Sequence, residues 1–142
     1  KMRVYLNIGS NIGDRQGFID AAIEAIEREF CCHALRSDVV ESEPWGFASS
    51  NRFLNIGIAL SIADCEPHEL LRRLKAIESG IDSRSHRTAD GGYADRAIDI
   101  DIIDIDGISI DDATLTIPHR HLQEREFFLV PYRQLKAMER SY

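Results

Sequence analysis

The segment from Ala97 to Ile105 constrains the fold most, because isoleucine and aspartate alternate along it. Successive side chains of a β-strand point to opposite faces of the sheet. The alternation therefore predicts a strand that buries its isoleucines on one face and presents Asp99 and Asp101 on the other. A strand of this kind needs a sheet with one face packed against other elements, which favours a layered α/β or α+β fold.

Asp99 and Asp101 form a candidate metal site. Carboxylates about 7 Å apart on one strand face repel each other unless a cation or an arginine lies between them. Hard oxygen ligands of this kind suit Mg²⁺, which often binds one or two carboxylates together with substrate phosphates. The alternative is the solvent face of an edge strand, where alternating aspartates favour solubility. Both interpretations stay open at this point.

The rest of the chain predicts an α+β domain over residues 1–142. Its hydrophobic periodicity gives the order β-α-β-β-α-β, that of a ferredoxin-like sandwich, with additional C-terminal elements. We predict strands over 4–8, 33–43, 53–62 and 97–105, together with a hairpin-like return around 108–117. We also predict a helix capped by Asp14 to about Phe30, a helix from Pro67 that Gly80 ends, and a helix from Glu124 that Pro131 interrupts.

Composition limits the partners. The net charge of −7 argues against a protein that binds the phosphate backbone of nucleic acids. No apolar run approaches the roughly 20 residues that span a bilayer, and the N-terminal residues do not resemble a signal peptide. The three cysteines, Cys31, Cys32 and Cys65, have no spacing typical of a disulfide framework or a zinc site. We therefore expect a monomeric, cytoplasmic protein with no nucleic-acid or membrane partner.

Basic side chains lie in loops or at element ends around the acidic strand. Each could be a solvated surface charge, but together they suit a nucleotide triphosphate, which needs a divalent metal and arginine donors for its phosphate oxygens. The chain has no GxxxxGK[ST] motif, which excludes a P-loop. A zinc pair on His119 and His121 lacks a third ligand. The basic residues are Arg84, Arg87, Arg96, His119, Arg120, His121 and Arg125.

A second group of residues is flat and aromatic. Trp45 lies in a loop with proline and glycine, and Phe53 and Asn55 share one face of the following strand. Such a ring can stack a planar heterocycle, and the amide can hydrogen-bond to its edge. Phe127 or Phe128 could supply the opposite wall. The alternative is a set of core aromatics with one polar strand residue.

Taken in order, these motifs resemble the 6-hydroxymethyl-7,8-dihydropterin pyrophosphokinase family. The resemblance extends from about residue 4 to residue 132. The specific part is Asp-Arg-x-Ile-Asp-Ile-Asp, followed by Pro-His and then Arg-x-Phe. The matching segments are Tyr5–Arg15, Glu43–Gly46, Phe53–Asn55, Ile77–Glu78, Asp95–Asp101, Ile117–His119 and Arg125–Phe127.

The resemblance implies a Mg²⁺-dependent transfer of pyrophosphate from ATP to the hydroxymethyl group of a reduced pterin, with release of AMP, in folate synthesis. By the same resemblance Asp99 and Asp101 would hold two Mg²⁺ ions. The residues implied to bind ATP are Lys75, Glu78, Arg84, Arg96, His119 and Arg125, of which Arg84, Arg96 and His119 are implied to be catalytic. Those implied to bind the pterin are Ser42, Pro44, Trp45, Gly46, Phe53, Asn55 and Phe127.

The chain departs from the family pattern between residues 82 and 95. Ser83 precedes Arg84 where the family has glycine, and Tyr93 takes the place of a tryptophan that helps to cover the active site. We expect this segment to close over ATP as a mobile lid. Two other hypotheses stay open: a related protein that binds the same ligands but has lost efficient transfer, and a ferredoxin-like binding module with no catalytic activity.

Overall fold

The computed structural model describes residues 1–44, 51–82 and 95–140. Within these ranges the chain forms a sheet with helices on both faces, and the predicted α+β class is confirmed. The strands are β1 (Met2–Ser10), β2 (Leu35–Arg36), β3 (Val40–Ser42), β4 (Phe53–Ile62), β5 (Asp99–Ile105), β6 (Ile110–Asp111) and β7 (Thr116–Ile117). The helices are α1 (Arg15–Phe30), α2 (Pro67–Ile81) and α3 (Glu126–Arg140).

The main sheet is antiparallel and has the strand order β2-β4-β1-β5, with β3 also paired to β4. The central strand β1 pairs with β4 along its whole length, from Met2 opposite Ile62 to Ser10 opposite Leu54. The strand predicted over residues 33–43 is divided into β2 and β3. Strands β6 and β7 form a separate hairpin. This strand order is that of the predicted ferredoxin-like sandwich.

Helices α1 and α2 cover one face of the sheet. Helix α1 begins where predicted, because the Asp14 side chain accepts a hydrogen bond from the Gly17 N–H at 3.1 Å and so caps the first turn. The apolar side of each helix packs against alternate residues of the central strands, as the period of the sequence predicts. This core contains Val4, Leu6, Ile8, Ile19, Ile23, Ile26, Ile58, Leu60, Leu70, Leu74, Ile98 and Ile100.

Helix α3 packs on the opposite face and covers only part of it. Its buried residues Phe128 and Leu135 join Tyr5, Ala59 and Ile103 in a second apolar cluster. The rest of this face, towards the C-terminal end of β1 and the start of β5, is left uncovered by α3. The candidate site lies there.

Two helix ends differ from the prediction. Helix α3 continues through Pro131 to Arg140, whereas we predicted that the proline interrupts it. The proline ring is buried against β4, where a Cβ on Gly57 would lie 2.8 Å from Pro131 Cβ. Helix α2 passes through Gly80 and ends at Ile81, because a glycine in the last turn weakens a helix by only about 1 kcal/mol.

Candidate active site

Asp99 and Asp101 lie at the start of β5, on the face that α3 leaves open. They are half-buried and stand opposite Gly9 and Asn7 of β1. They are two residues apart on the same face of the strand, so each carboxyl group is exposed to the charge of the other. Burial and the charge of Asp99 raise the pKa of Asp101 well above its usual range. A cation placed between the two would remove this repulsion.

The donor set fits Mg²⁺ bound together with a substrate. Both ligands are carboxylates, the oxygen donors that this ion prefers. Among the described residues, no group of three or more histidine, cysteine, aspartate or glutamate side chains is arranged to hold a metal. Mg²⁺ held by one or two carboxylates commonly completes its coordination with water and substrate phosphates.

A first cavity lies beside the acidic pair and is lined by aromatic rings; we call it the aromatic cavity. Phe53 is 7% exposed, and the guanidinium carbon of Arg96 lies 5.2 Å from the centre of its ring. Gly9 forms part of the floor, where a Cβ would lie 3.1 Å from Asn55 Oδ1. The lining residues are Asn7, Gly9, Phe53, Asn55, Arg96, Asp99, Asp101, Arg125, Phe127 and Phe128.

The Asn55 amide is held in one orientation inside this cavity. Its Nδ2 donates hydrogen bonds to Ser42 Oγ at 2.8 Å and to the Val40 carbonyl at 3.3 Å, and the residue is 2% exposed. Because both donors point to β3, the amide oxygen is the group left for a ligand. Ser42 therefore orients Asn55, in addition to any contact of its own.

A second cavity of about 430 Å³ lies on the other side of the acidic pair; we call it the basic cavity. It extends from β5 to the β6–β7 hairpin and carries most of the cations that the sequence places near the acidic strand. Its lining includes Lys75, Arg96, Asp99, Asp101, Thr114, Leu115, His119, Arg120, His121 and Arg125.

His119 enters the basic cavity as a neutral hydrogen-bond donor. Burial and the nearby Arg125 lower its pKa to about 4, so the ring is uncharged at neutral pH. Its Nδ1 accepts a hydrogen bond from the His121 backbone N–H at 3.1 Å, which places the ring proton on Nε2. Its own backbone N–H donates to the Ile103 carbonyl at 2.8 Å, which holds this segment beside β5.

Glu78 lies beneath β5 and is 4% exposed. One carboxylate oxygen accepts the Ile100 backbone N–H at 2.5 Å, and both oxygens lie 3.5 Å from Lys75 Nζ. Burial raises the pKa of Glu78 to about 7. For Lys75 burial acts in the opposite direction, but Glu78 and the acidic pair outweigh it, so the pKa of Lys75 is raised.

The structure brings most of the predicted site residues together. Phe53, Asn55 and Phe127 surround the aromatic cavity, and Lys75, His119 and Arg125 line the basic cavity. Arg84, Trp45 and Gly46, like Tyr93 and the rest of the predicted lid, lie outside the described residues, so their roles stay predictions. The contacts predicted for Pro44 and Glu78 with ligands are also untested.

Sequence reasoning missed Asn7, which lines the aromatic cavity and is 2% exposed. The signal was an amide within the apolar run of a central strand, where an unpaired polar group is costly. Such a residue needs a hydrogen-bond partner from another element. The sequence could therefore have predicted that the face of β1 that carries Asn7 packs against a polar group.

The two cavities on this ferredoxin-like sheet meet at an acidic pair and two arginines, an arrangement that suits an enzyme with two substrates. The family model described as 7,8-dihydro-6-hydroxymethylpterin-pyrophosphokinase (HPPK) matches residues 5–137. The chain therefore belongs to the 7,8-dihydro-6-hydroxymethylpterin-pyrophosphokinase family. The predicted family and the predicted enzyme class, a diphosphotransferase, are confirmed.

Curated relatives agree with this assignment. The chain is 35% identical over 130 residues to the 2-amino-4-hydroxy-6-hydroxymethyldihydropteridine pyrophosphokinase of Porphyromonas gingivalis, covering 90% of this chain and 86% of the relative. It is 38% identical over 133 residues to the protein of the same name from Aquifex aeolicus, covering 94% of this chain and 79% of the relative.

Solved structures support the fold. The chain matches a structure described as Plasmodium falciparum HPPK-DHPS wild type with SDX-DHP, with a TM-score of 0.67 and 12% identity over 94% of this chain. A second HPPK-DHPS structure, described as a complex with substrates, matches with a TM-score of 0.69 and 12% identity over 95% of this chain. The chain spans only 40% and 42% of these longer proteins.

No helix in the described ranges is long and apolar enough to cross a membrane.

Proposed function

We propose that this chain transfers pyrophosphate from ATP to 6-hydroxymethyl-7,8-dihydropterin, releasing AMP, with the pterin in the aromatic cavity and the ATP phosphates in the basic cavity. The family assignment supports the activity. The observation that carries the assignment of the two cavities is their common wall, formed by Arg96, Asp99, Asp101 and Arg125. The group that is transferred must pass from one substrate to the other along this wall.

The aromatic cavity has the chemistry of a pterin site. The rings of Phe53 and Phe127 can stack on the bicyclic system, and the Asn55 amide oxygen can accept a hydrogen bond from its edge. Gly9 lines the cavity, and a larger residue there would narrow it, because a Cβ would lie 3.1 Å from Asn55 Oδ1. The hydroxymethyl group would then point towards the acidic pair.

The basic cavity has the chemistry of a triphosphate site. In the transfer the pterin hydroxyl oxygen bonds to the β-phosphorus as the bond from that phosphorus to the α,β-bridging oxygen breaks. The bridging oxygen leaves with AMP, and the hydroxyl proton passes to water. Positioning and charge neutralisation accelerate such a reaction, because no covalent enzyme intermediate is required. Arg96 and Arg125 are placed to donate to phosphate oxygens from the common wall. His119 offers a neutral N–H donor, which stabilises charge without requiring a proton to be gained or lost.

Mg²⁺ completes the proposal. Asp99 and Asp101 would hold the ions, two in number by resemblance to the family, and bound Mg²⁺ supplies charge neutralisation for the phosphates. We also propose, as the sequence predicts, that the protein acts as a monomer.

The experiment that tests this function is an assay of nucleotide products. The protein is incubated with ATP, Mg²⁺ and the reduced pterin, and AMP, ADP and inorganic phosphate are separated and measured. We expect AMP formation that requires both the pterin and the metal. ADP as the main product, or AMP formation without pterin, would contradict the proposal.

A pair of arginine variants tests the assignment of the basic cavity. Arg125→Ala should lower turnover about 10²-fold or more, the scale for one preorganised charged donor. The control is Arg72→Ala, since Arg72 is an exposed arginine of α2 paired with Glu69 and outside both cavities. Equal losses for the two variants would show that the effect does not depend on the cavity.

A further inference from the structure

The carbonyl of Phe127 lacks the usual i+4 hydrogen-bond donor of its own helix. In an α-helix this carbonyl accepts the N–H of the residue four positions later, which here is Pro131. Proline has no backbone N–H, so the bond is lost. A carbonyl near a buried interface needs another donor, since leaving it unpaired costs free energy.

The missing donor comes from the central strand. Asn7 Nδ2 donates a hydrogen bond to the Phe127 carbonyl at 2.8 Å, and this is the one hydrogen bond of the Asn7 side chain among the described residues. Asn7 pairs with Gly57 across β1 and β4, and Pro131 packs directly on Gly57. The paired residues Asn7 and Gly57 therefore both contact α3. Gly57 packs against the Pro131 ring, and Asn7 donates the hydrogen bond that a backbone N–H at position 131 would otherwise provide.

The position of the Phe127 ring depends on this hydrogen bond, because the ring projects from the first turn of α3. The same turn also contacts the segment before it, since the Phe128 ring packs edge to face on the His119 ring, with centres 4.8 Å apart. The Asn7 bond fixes the backbone from which Phe127 projects into the aromatic cavity. Without the Asn7 donor, the Phe127 carbonyl would reorient to accept a hydrogen bond from water. The backbone of the first helical turn would move with it.

We propose that Asn7 is a positioning residue for the pterin site, which places the Phe127 ring by satisfying the carbonyl that Pro131 leaves unpaired. The inference rests on the proposed function in one respect, the identity of the ligand that stacks on Phe127. It goes beyond that function by assigning a role to a strand residue and to the proline of the helix that faces it.

The test is a cycle of two substitutions. Asn7→Leu removes the donor and keeps a similar volume. Pro131→Ala restores a backbone N–H that can bond to Phe127 within the helix, so in this background the Asn7 donor is no longer needed. Gln134→Leu is the control: it removes two hydrogen bonds between α3 and Asp38, away from both cavities.

The first measurement is binding of the reduced pterin and, separately, of MgATP. Asn7→Leu should weaken pterin binding about fivefold, which corresponds to the loss of one neutral hydrogen bond, and change MgATP binding less than twofold. In the Pro131→Ala background the same substitution should weaken pterin binding less than twofold. Gln134→Leu should leave both affinities unchanged. An undiminished loss in the Pro131→Ala background, or no loss in the single variant, overturns the proposal.

The second measurement needs no ligand and separates this proposal from the proposed function. Amide hydrogen exchange of residues 126–130 in the free protein should be faster in Asn7→Leu and return towards the wild-type rate in the double variant. Unchanged exchange in Asn7→Leu overturns the positioning role. If wild-type protein binds no pterin, the proposed function fails, and the exchange result alone decides whether Asn7 holds the first turn.

Discussion

Replacing Glu78 by glutamine should stabilise the ligand-free protein at neutral and alkaline pH. The substitution removes a buried charge, while the amide oxygen can still accept the Ile100 N–H. Because burial raises the pKa of Glu78 from 4.5 to about 7 in the folded protein, the unfolded chain loses this proton first as the pH rises. The wild-type free energy of unfolding therefore falls between pH 4.5 and 7, and the variant escapes this fall.

The magnitude follows from the two pKa values. The interval between 4.5 and about 7, at about 1.4 kcal/mol for each pH unit, gives about 3 kcal/mol as the upper limit of the pH-dependent gain. The pKa of about 7 already includes the attraction of Lys75, which partly offsets the effect of burial. Urea unfolding of both proteins at several pH values between 4.5 and 8 measures the difference.

A matched control is available on the same helix. Glu69 is exposed, and its hydrogen bond from Arg72 lowers its pKa. Glu69→Gln should therefore give no gain that grows with pH. The prediction is contradicted if the difference in unfolding free energy between wild-type and Glu78→Gln protein stays the same from pH 4.5 to 8. Burial would then not disfavour the ionised form of Glu78.

Three further predictions concern other parts of the molecule. Asp99→Asn should lower turnover in the AMP assay about 10²- to 10³-fold, with no loss of thermal stability; an unstable variant with near-normal activity would exclude the metal role. Phe127→Ala should weaken pterin binding by about 1–3 kcal/mol and MgATP binding much less, as titration of each ligand can check; equal losses would indicate a packing defect. His68 hydrogen-bonds to Glu66 and Asp112, which raises the pKa of His68, while hydrogen bonds from Thr114 and His68 lower that of Asp112 to about 2. His68→Gln should therefore lower the melting temperature most between about pH 4 and 6.5, with less effect above the His68 pKa and near pH 2; a difference independent of pH would contradict this.

The sequence predicted the sheet well because its signals are local. Strand β4 begins and ends at the predicted residues, Phe53 and Ile62, since a run of β-branched and aliphatic residues specifies both its type and its length. The common face of Asp99 and Asp101 followed from the two-residue period of a strand. In each case neighbouring residues carry all of the information.

Interactions between distant segments were not predictable in this way. Helix α3 continues through Pro131, and the donor that satisfies the Phe127 carbonyl comes from Asn7, 120 residues earlier. Nothing in residues 124–140 indicates such a partner. Glu78 is a different case, because it continues the apolar stripe of Leu70 and Leu74 at a spacing of four. A glutamate at such a position predicts burial, and the buried carboxylate then requires a partner such as the Ile100 N–H.

Three of the titratable groups in or beneath the two cavities share one property that connects stability with function, whereas the pKa of Lys75 shifts towards its charged form. Burial raises the pKa of Asp101 and of Glu78, and burial lowers that of His119, so each shift disfavours the charged form of its group. A free protein with these groups is less stable than one with apolar residues in their place, since ionised groups are costly to bury. In the proposed complex this cost would fall, because Mg²⁺ would neutralise the acidic pair and the phosphates would provide acceptors for the Arg125 and His119 donors. The strand that departs furthest from ordinary β-sheet composition is therefore the one on which both substrates would meet.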